Sequence, residues 1–491
     1  MLIVTIPYCI FQKKIIYQIG LCIYFLIGFI EIGHWITMKA PMTITSLLII
    51  SNTNFEEAVG FLDMKSSWDY ILLIIYTAIF VLALRKSTSK KVIKNKLIHI
   101  GTVVIIFFIV VFRLRNSIPK YRFLPQSVKI SYAFIVLLDD YKKEAKKNKL
   151  KTVDAALQKD QNQQQTFVLI IGETCSRRHM SLYGSKVDTN PKLSNRNDII
   201  KYTDVVSGYN YTIHSVPAML SQSNLENKLS VAESIDLLDI FHSAGFETFW
   251  ISNQSPIGML DNVISAIARK SDYTQFVNTN GSSSGEAFFS RAHDGDLLEP
   301  FESILKRSGN RKFIVLHLMG SHHTYNKRYP PSFERFKGGK SKKERLIDEY
   351  HNSIYYNDFV VDSILSTLNK YTLSEKGHIS SAIYLSDHGE NVYDETNRVG
   401  HGYSKEMPKI LVEIPFIVWL SSEYMKKNKN ITSTILGNKN MPYVSDDFFH
   451  SVIDINNIKS PLLDETKSVF NKKFNHNRKR VLIDGKDYDR K

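Results

Sequence analysis

The chain has 491 residues, enough for about two or three domains, and 43% of them are apolar, as in an ordinary globular protein. Its formal net charge of +15 suggests an anionic partner. However, six of these charges lie in one short stretch, residues 85–96, and the sequence contains no nucleic-acid-binding motif. Nucleic acid is therefore not an expected partner.

The N-terminal part carries three apolar runs, which lie at residues 15–37, 69–84 and 97–112. A helix that spans a bilayer needs about 17–25 apolar residues, so the first run fits and the other two are slightly short. Trp68 and Tyr70 flank the second run, as aromatic residues do at a membrane interface. Three successive runs without a small-residue cleavage site argue against a signal peptide. We predict a transmembrane helical domain over residues 1–112, with buried core helices as the alternative.

The basic residues predict how these helices are oriented. Basic loops stay in the cytoplasm, so the loop at 85–96 is expected there, and Lys13 and Lys14 before the first run agree with this. The loop at 38–68 and everything after Phe112 then lie outside the cytoplasm. The large soluble part is therefore predicted to be extracytoplasmic.

Residues 113–165 read as a bridge. "RLRNSIPKYRFLPQ" carries two prolines, and "ISYAFIVLLDDYKKEAKK" has the pattern of an amphipathic helix that lies along a membrane. "QKDQNQQQT" is polar and typical of a linker. This segment is predicted to connect the membrane helices to the soluble domain.

From residue 166 to 491, apolar strand patterns alternate with helical ones. This alternation predicts a doubly wound α/β domain with a mainly parallel sheet, in which ligands bind beyond the carboxyl ends of the strands. Cys175 is the only cysteine expected outside the membrane, so this domain must fold without internal disulfides. The predicted strands are "TFVLIIGE", "FETFWISN", "KFIVLHLMG", "SAIYLSDHG" and "IPFIVWLS".

Side chains that can bind a metal stand at the ends of three predicted strands: Glu173, His317 with His322, and Asp387 with His388. Two carboxylates and an imidazole suit Zn²⁺ and leave one coordination position for a nucleophile. "SGYNYTIHSVPAML" offers hydroxyls for that position at Ser207, Thr212 and Ser215. A metal would lower the pKa of such a hydroxyl, but the spacing alone does not select one of them.

Several segments, taken in order, resemble the bacterial phosphoethanolamine transferases. These are membrane-anchored members of the alkaline phosphatase/sulfatase superfamily. The resemblance covers residues 166–485 and, more loosely, the membrane part through "SLLIISNTNFEEAVGFL". The segments are "IIGETCSRRHMSLYGSKVDTNPKL", "YNYTIHSVPAML", "VLHLMGSHHTYNKRYPPSF", "YHNSIYYNDFVVDSIL", "YLSDHGENV", "GHGYS" and "RKRVLIDGKDYD".

The resemblance implies a role for each of the site residues. It selects Thr212 as the nucleophile and implies that Glu173, Thr212, Asp387 and His388 hold a catalytic Zn²⁺. It further implies that His322 and His401 contact the phosphoryl group or a second zinc, and that Thr53 and Glu57 contact a lipid headgroup.

The activity implied by the resemblance is transfer of phosphoethanolamine from phosphatidylethanolamine to an envelope glycolipid, either lipid A or the lipopolysaccharide core. The enzyme would be a monomer in the bacterial inner membrane, spanning it several times, with its catalytic domain in the periplasm. Basic stretches at 141–151 and 472–480 favour an anionic glycolipid or glycan acceptor. The alternatives are a phosphoglycerol transferase or phosphodiesterase of the same superfamily, and a non-enzymatic envelope scaffold.

The sequence also departs from the family. Ser207 and Ala218 stand where family members commonly have cysteines, and "PIGML" replaces a Cys and a substrate-contacting Lys. The family usually has five membrane helices, and the first two would here be reduced to "MLIVTIPYCIF" or missing. Met219 stands where a sulfatase would have an Arg, which argues against formylglycine chemistry.

Overall fold

The computed structural model describes residues 10–11, 13–38, 42, 46–47, 67–86, 95–116, 130–131, 135, 149–158, 163–254, 263–278, 292–402 and 407–490. The chain divides into two compact units, residues 1–53 with 61–140 and residues 54–60 with 141–491. Thr53, Glu57 and most of the predicted bridging helix fall outside the described residues.

In the described part of the first unit, the three apolar runs are covered by helices α1 (Lys14–Met38), α2 (Ser67–Lys86) and α3 (Lys96–Asn116). The ring of Phe25 in α1 stacks on Phe80 of α2, with 4.0 Å between the ring centroids. By length and composition, one helical segment among the described residues could cross a membrane, Lys14–Ile36. That all three helices span the membrane stays a prediction.

The second unit alternates strands and helices. Its strands are β1 (Ala156–Leu157), β2 (Gln165–Gly172), β3 (Ile199–Tyr202), β4 (Val205–Val206), β5 (Glu247–Ser252), β6 (Tyr273–Phe276), β7 (Arg311–His317), β8 (Ile379–Ser386), β9 (Asn391–Val392), β10 (Val399–Gly400), β11 (Phe416–Leu420), β12 (Tyr443–Val444) and β13 (Ile458–Lys459). Its α-helices are α4 (Pro191–Ser194), α5 (Thr212–Leu220), α6 (Leu237–Ser243), α7 (Val263–Ala268), α8 (Leu298–Leu305), α9 (Lys342–Ser374), α10 (Ser422–Lys427), α11 (Lys429–Gly437) and α12 (Phe448–Ile455).

Seven of these strands form the central sheet, in the order β3-β11-β8-β2-β7-β5-β6. The strands from β8 to β6 pair in parallel, whereas β11 runs antiparallel to both β8 and β3. The prediction of a mainly parallel α/β sheet is therefore confirmed. The five predicted strands are present as β2, β5, β7, β8 and β11.

The core lies on both faces of this sheet. Along β2, Phe167, Leu169 and Ile171 belong to one apolar cluster and Val168 and Ile170 to the other. Successive side chains of a strand point to opposite faces, so a strand covered on both sides must be apolar throughout. This explains why "FVLII" reads as an unbroken apolar run.

Candidate metal centre and nucleophile

The register of the central strands places three chain segments side by side at one edge of the sheet. Ile171 of β2 pairs with His317 at the end of β7, and Gly172 pairs with Ser386 at the end of β8. Glu173 and Asp387 directly follow these strands, so their side chains emerge at the carboxyl edge of the sheet. This edge is where parallel α/β sheets bind ligands.

The carboxylate of Asp387 is buried and only half satisfied. Its Oδ1 accepts hydrogen bonds from the backbone amides of Thr174 (3.0 Å) and His388 (2.7 Å). Its Oδ2 has no hydrogen-bond partner among the described residues. An unpaired charged oxygen inside a protein is costly, which indicates a cation site in front of this atom.

His388 directs one ring nitrogen, Nε2, toward the unpaired oxygen of Asp387. Its Nδ1 lies 2.8 Å from the carbonyl oxygen of Gly389, and a carbonyl can only accept, so Nδ1 carries the proton. Nε2 is then free to bind a metal and lies 3.5 Å from both Asp387 Oδ2 and Glu173 Oε1. Burial lowers the pKa of His388, which favours this neutral form.

Glu173 completes the set of charged groups. Its side chain is buried, and its Oε1 accepts a hydrogen bond of 2.6 Å from the hydroxyl of Thr174. Burial, together with the nearby charge of Asp387, raises the pKa of Glu173 well above its usual range. Two buried carboxylates this close together repel each other unless a cation lies between them.

Thr212 is the first residue of helix α5, and its hydroxyl faces this group. Thr212 Oγ1 lies 2.9 Å from Glu173 Oε1 and 3.3 Å from His388 Nε2. The two alternatives point elsewhere: Ser215 Oγ donates to the carbonyl of Tyr211 (3.0 Å), and Ser207 Oγ accepts from the amide of Tyr209 (3.3 Å). The sequence offered three hydroxyls as the nucleophile, and of these it is the hydroxyl of Thr212 that contacts the carboxylate of Glu173.

This donor set fits a divalent metal ion. One ligand atom each from Glu173, Asp387 and His388 lie within 4.8 Å of one another, and all three residues are buried. With the hydroxyl of Thr212 they provide three oxygens and one nitrogen, a number and chemistry suited to tetrahedral Zn²⁺. The unpaired Oδ2 of Asp387 is the observation that supports this fit.

The second pair of predicted histidines lies beside the metal set. The rings of His401 and His388 are 4.6 Å apart, and Nδ1 of His401 is 3.3 Å from Oε2 of Glu390. Burial lowers the pKa of His401, but the charge and hydrogen bond of Glu390 and the charge of Asp387 together outweigh it, and the net shift is upward. For His322, burial and then the neighbouring His323 hold the pKa well below its usual range.

His317 lies apart from the four grouped residues. It ends β7, is buried, and its ring meets Trp250 edge to face at 5.9 Å. The resemblance does not include this residue among the zinc ligands, and it is not part of the close group of three.

The sequence analysis missed Asp294, which supports the loop at 318–322. Its buried carboxylate accepts from the backbone amides of Met319 (2.7 Å) and Gly320 (2.8 Å) and from Asn253 Nδ2 (2.8 Å). Gly320 has φ +57°, and a Cβ there would lie 2.5 Å from the carbonyl oxygen of Glu173, so only glycine allows this close approach. Asp294 lies in "AHDGDLLEP", a polar helix start with no feature that suggests a site.

A histidine pair behind the site was also missed. His179 Nδ1 lies 3.0 Å from His351 Nε2, and His179 Nε2 lies 3.0 Å from the carboxylate of Asp394. Next to it, Arg178 pairs with Glu395, with 2.6 Å between Nη1 and Oε1. The segment that follows Glu173 thereby holds the tip of the β9–β10 hairpin. Both histidines occur in motifs that the sequence analysis quoted, but no spacing rule connects them.

The positions that replace family cysteines are buried. Ser207 and Ala218 are 0% and 3% exposed. Cys175 is buried as well, and burial raises the pKa of its thiol to about 12, so it is an inert core residue. The missing Lys falls in 255–262, outside the described residues.

Known proteins resemble this chain in sequence and in fold. Residues 165–458 match the sulfatase family. Phosphoethanolamine transferase EptC of Escherichia coli O18:K1:H7 (strain RS218 / NMEC) is 28% identical over 344 residues, which are 66% of this chain and 57% of that protein. The chain thus spans a little over half the length of this relative.

Two solved structures extend the comparison. The C-terminal periplasmic domain of Escherichia coli EptC, crystallised as a complex with Zn, is 26% identical with a TM-score of 0.62, and covers 69% of this chain and 97% of that one. The integral membrane protein lipooligosaccharide phosphoethanolamine transferase A (EptA) from Neisseria meningitidis is 20% identical with a TM-score of 0.69, and covers 94% and 88%. At that identity the second likeness concerns the fold.

The family match covers more than half of the chain, so the protein belongs to the sulfatase family, in which its relatives are the bacterial phosphoethanolamine transferases.

Proposed function

We propose that this protein is a membrane-anchored, zinc-dependent transferase that moves phosphoethanolamine from phosphatidylethanolamine to an envelope glycolipid, lipid A or the lipopolysaccharide core. The observation that carries the proposal is the position of Thr212, whose hydroxyl lies 2.9 Å from Glu173 and 3.3 Å from His388, beside the unpaired oxygen of Asp387. The names of its relatives support phosphoethanolamine as the transferred group.

The residues that would hold the zinc are Glu173, Asp387, His388 and Thr212. When bound, Zn²⁺ lowers the pKa of the Thr212 hydroxyl and offsets negative charge on the phosphoryl group. Glu173 positions the hydroxyl through its hydrogen bond, and His388 keeps its proton on Nδ1 by donating to Gly389.

The first half-reaction forms a bond between Thr212 Oγ1 and phosphorus. The bond from phosphorus to the glycerol oxygen breaks, Thr212 loses its proton, and diacylglycerol leaves with a proton on that oxygen. The side chains of His322 and His401 lie near the metal set, and their ring nitrogens are available to move this proton. Helix α5 begins at Thr212, so the positive end of its dipole favours the negative charge there.

The second half-reaction reverses these roles. A phosphate or hydroxyl oxygen of the acceptor attacks phosphorus, the bond to Thr212 breaks, and the hydroxyl regains a proton. A site that serves both halves must exclude water, because hydrolysis of the Thr212 ester would waste the donor. Glu173, Asp387 and His388 are buried, which supports exclusion of water on their side of the site.

Localisation in the bacterial inner membrane, with the catalytic unit in the periplasm, is part of the proposal. The helix Lys14–Ile36 supports a membrane anchor. The donor phospholipid would then reach the site from the outer leaflet of that membrane.

The test is mass spectrometry of the full-length protein in detergent micelles after exposure to head-group-labelled phosphatidylethanolamine. We expect a phosphoethanolamine adduct on Thr212, and its transfer to lipid A added afterwards. A phosphoglycerol adduct from phosphatidylglycerol would instead identify a phosphoglycerol transferase. Release of free phosphoethanolamine would identify a phosphodiesterase. No adduct from any phospholipid would support the scaffold.

A further inference from the structure

A strongly basic loop, residues 335–345 with the sequence RFKGGKSKKER, has no part in the function proposed so far. Six of its eleven residues are Arg or Lys, and Glu344 is its one acid. Lys337, Lys340 and Lys343 are exposed. We call this segment the basic loop. It ends in the first turn of helix α9.

The backbone of the basic loop is fixed. Buried Asn352 accepts from the amides of Arg335 (2.9 Å) and Phe336 (2.7 Å) through Oδ1. Further along, Oδ2 of Asp348 accepts from the amide of Gly339 at 2.7 Å. A Cβ at Gly339 would lie 2.6 Å from the backbone nitrogen of Arg345, so the turn requires glycine. The loop therefore presents its lysines from a defined position.

The acid within the loop accepts hydrogen bonds from backbone amides. Glu344 accepts from the amides of Lys340 and Ser341, each at 2.9 Å, in the capping box of helix α9. Among the described residues, no ion pair includes Lys337, Lys340 or Lys343. With six basic residues against one acid, the loop keeps a net positive charge.

The basic loop lies beside the hairpin that carries the site residues. Nζ of Lys343 is 5.1 Å from the centre of the Tyr393 ring, at the tip of the β9–β10 hairpin. Glu390 directly precedes this hairpin and His401 directly follows it. The acids at the tip are already paired, Asp394 with His179 and Glu395 with Arg178. The acids at the tip thus contact residues other than Lys343, and the basic loop lies next to the hairpin that joins Glu390 to His401.

The basic stretch at 472–480, which the sequence favoured for the acceptor, differs in this respect. Arg478 pairs with Glu226 at 2.8 Å and also with Asp447. Lys473 pairs with Glu465 at 2.5 Å. Arg480 is 4% exposed and pairs with Asp204 at 2.7 Å. Internal partners thus neutralise much of the charge in this stretch.

We propose that the basic loop is the docking surface for the negatively charged head of the glycolipid acceptor, an inference that rests on the proposed function. Phosphorylated sugars are attracted by a cluster of ammonium groups over several ångströms, and their arrival rate then depends on ionic strength. Lys337, Lys340 and Lys343 would guide the acceptor toward the side of the site formed by His401.

The test compares two triple variants of the full-length protein with equal loss of charge. The loop variant is Lys337→Gln/Lys340→Gln/Lys343→Gln, and the control is Lys376→Gln/Lys429→Gln/Lys459→Gln, whose lysines are also exposed. Two rates are measured: formation of the Thr212 adduct from phosphatidylethanolamine, and its transfer to lipid A in neutral vesicles at low and high salt.

We expect the loop variant to transfer to limiting lipid A about 10-fold more slowly than the wild type at low salt, and with a weaker salt dependence. Its adduct formation and the transfer rate of the control are expected to stay within about 2-fold of the wild type.

The inference is overturned if the loop variant transfers normally, if both half-reactions fall together, or if the control loses as much. Binding of the loop variant to phosphatidylglycerol vesicles that lack glycolipid is a further check. If this binding falls as much as transfer to lipid A does, the loop contacts the membrane surface, and the inference is overturned too. Absence of any adduct in the wild type is a different result, since it would remove the proposed function itself.

Discussion

The hydroxyl oxygen of Thr212 lies 2.9 and 3.1 Å from the two carboxylate oxygens of Glu173. This contact joins the start of helix α5 to the end of strand β2, and it distinguishes Thr212 from the other hydroxyls of its segment. We predict that Thr212→Ala lowers turnover by at least ~10³-fold, because the nucleophile is lost. Thr212→Ser keeps the oxygen and should retain measurable activity. Intact-mass measurement of the adduct checks both.

Ser215→Ala is the matched control for this prediction. Its hydroxyl only donates to the carbonyl of Tyr211, so its loss should cost about 1 kcal/mol of stability and leave adduct formation intact. An adduct in Thr212→Ala, or none in Ser215→Ala, would contradict the assignment.

Metal dependence follows from the unpaired oxygen of Asp387 and the buried carboxylate of Glu173 beside it. Glu173→Ala and Asp387→Ala each remove a charged ligand, and we expect zinc affinity and turnover to fall by at least ~100-fold. Loss of a residue that only hydrogen-bonds to a metal ligand costs about 10- to 100-fold, and loss of the ligand itself should cost more. Metal content by mass spectrometry and transfer activity measure the two effects. His317→Gln, a change just outside the group, should keep its zinc. Full activity in either alanine variant, or after thorough chelation, would remove zinc from the mechanism.

The contact of His179 with Asp394 predicts an effect at a distance from the chemistry. Asp394→Asn weakens the tie to the hairpin whose two ends carry Glu390 and His401. A misplacement of about 1 Å can cost roughly 100-fold in rate, so we expect kcat to fall by about 10- to 100-fold with bound zinc unchanged. Steady-state kinetics and metal analysis of the same preparation separate the two. Loss of zinc together with kcat would mean that the variant disturbs the metal ligands instead.

Membrane topology is testable independently of the chemistry. A reporter fused after Lys91 should behave as cytoplasmic, because it follows basic residues that stay inside. A reporter fused after Gln165 should be active only outside the cytoplasm. The reverse pattern would place the catalytic unit away from the outer leaflet and exclude the proposed donor route.

Local patterns predicted the strands well, because each is buried on both faces. The apolar run in "SAIYLSDHG" corresponds to β8, and the polar residues directly after it mark the carboxyl edge of the sheet. The direction of β11 was not visible in its sequence, since a buried strand is apolar whichever way it runs. Its direction follows from the connection: the described residues between β8 and β11 form a hairpin and a short 3-10 turn, and they include no helix that could carry the chain back for a parallel strand.

The site was predictable to the extent that its residues follow strands or occur in recognisable motifs. Glu173 and Asp387 are of this kind. His179 and His351 meet across 172 residues, and Asp394 joins them from a third segment. Such a contact depends on how helix α9 packs against the loop after β2, and no single segment encodes it. The neutralisation of the 472–480 stretch has the same origin, because Glu226 and Asp204 come from distant parts of the chain.

Buried neutral histidines predict that the catalytic unit loses stability in acid. Burial is the main cause that lowers the pKa of His378 and of His450, each to about 4. The unfolded value is about 6.5, so the unfolded state binds more protons, and the stabilising contribution present above pH 6.5 is lost as the pH falls toward 4. At pH 5 this amounts to about 2 kcal/mol for each histidine. Denaturant unfolding between pH 7 and 5 measures it.

His450→Asn tests the cause directly. Nδ1 of His450 accepts a hydrogen bond of 3.2 Å from the amide of Asp464, and the oxygen of an asparagine can accept in its place without titrating. We therefore expect this variant to lose about 2 kcal/mol less than the wild type between pH 7 and 5, whatever its stability at pH 7. The control is His476→Asn at an exposed position, which should leave the pH dependence unchanged. If His450→Asn and the wild type show parallel curves, protonation of this buried ring does not drive the acid loss.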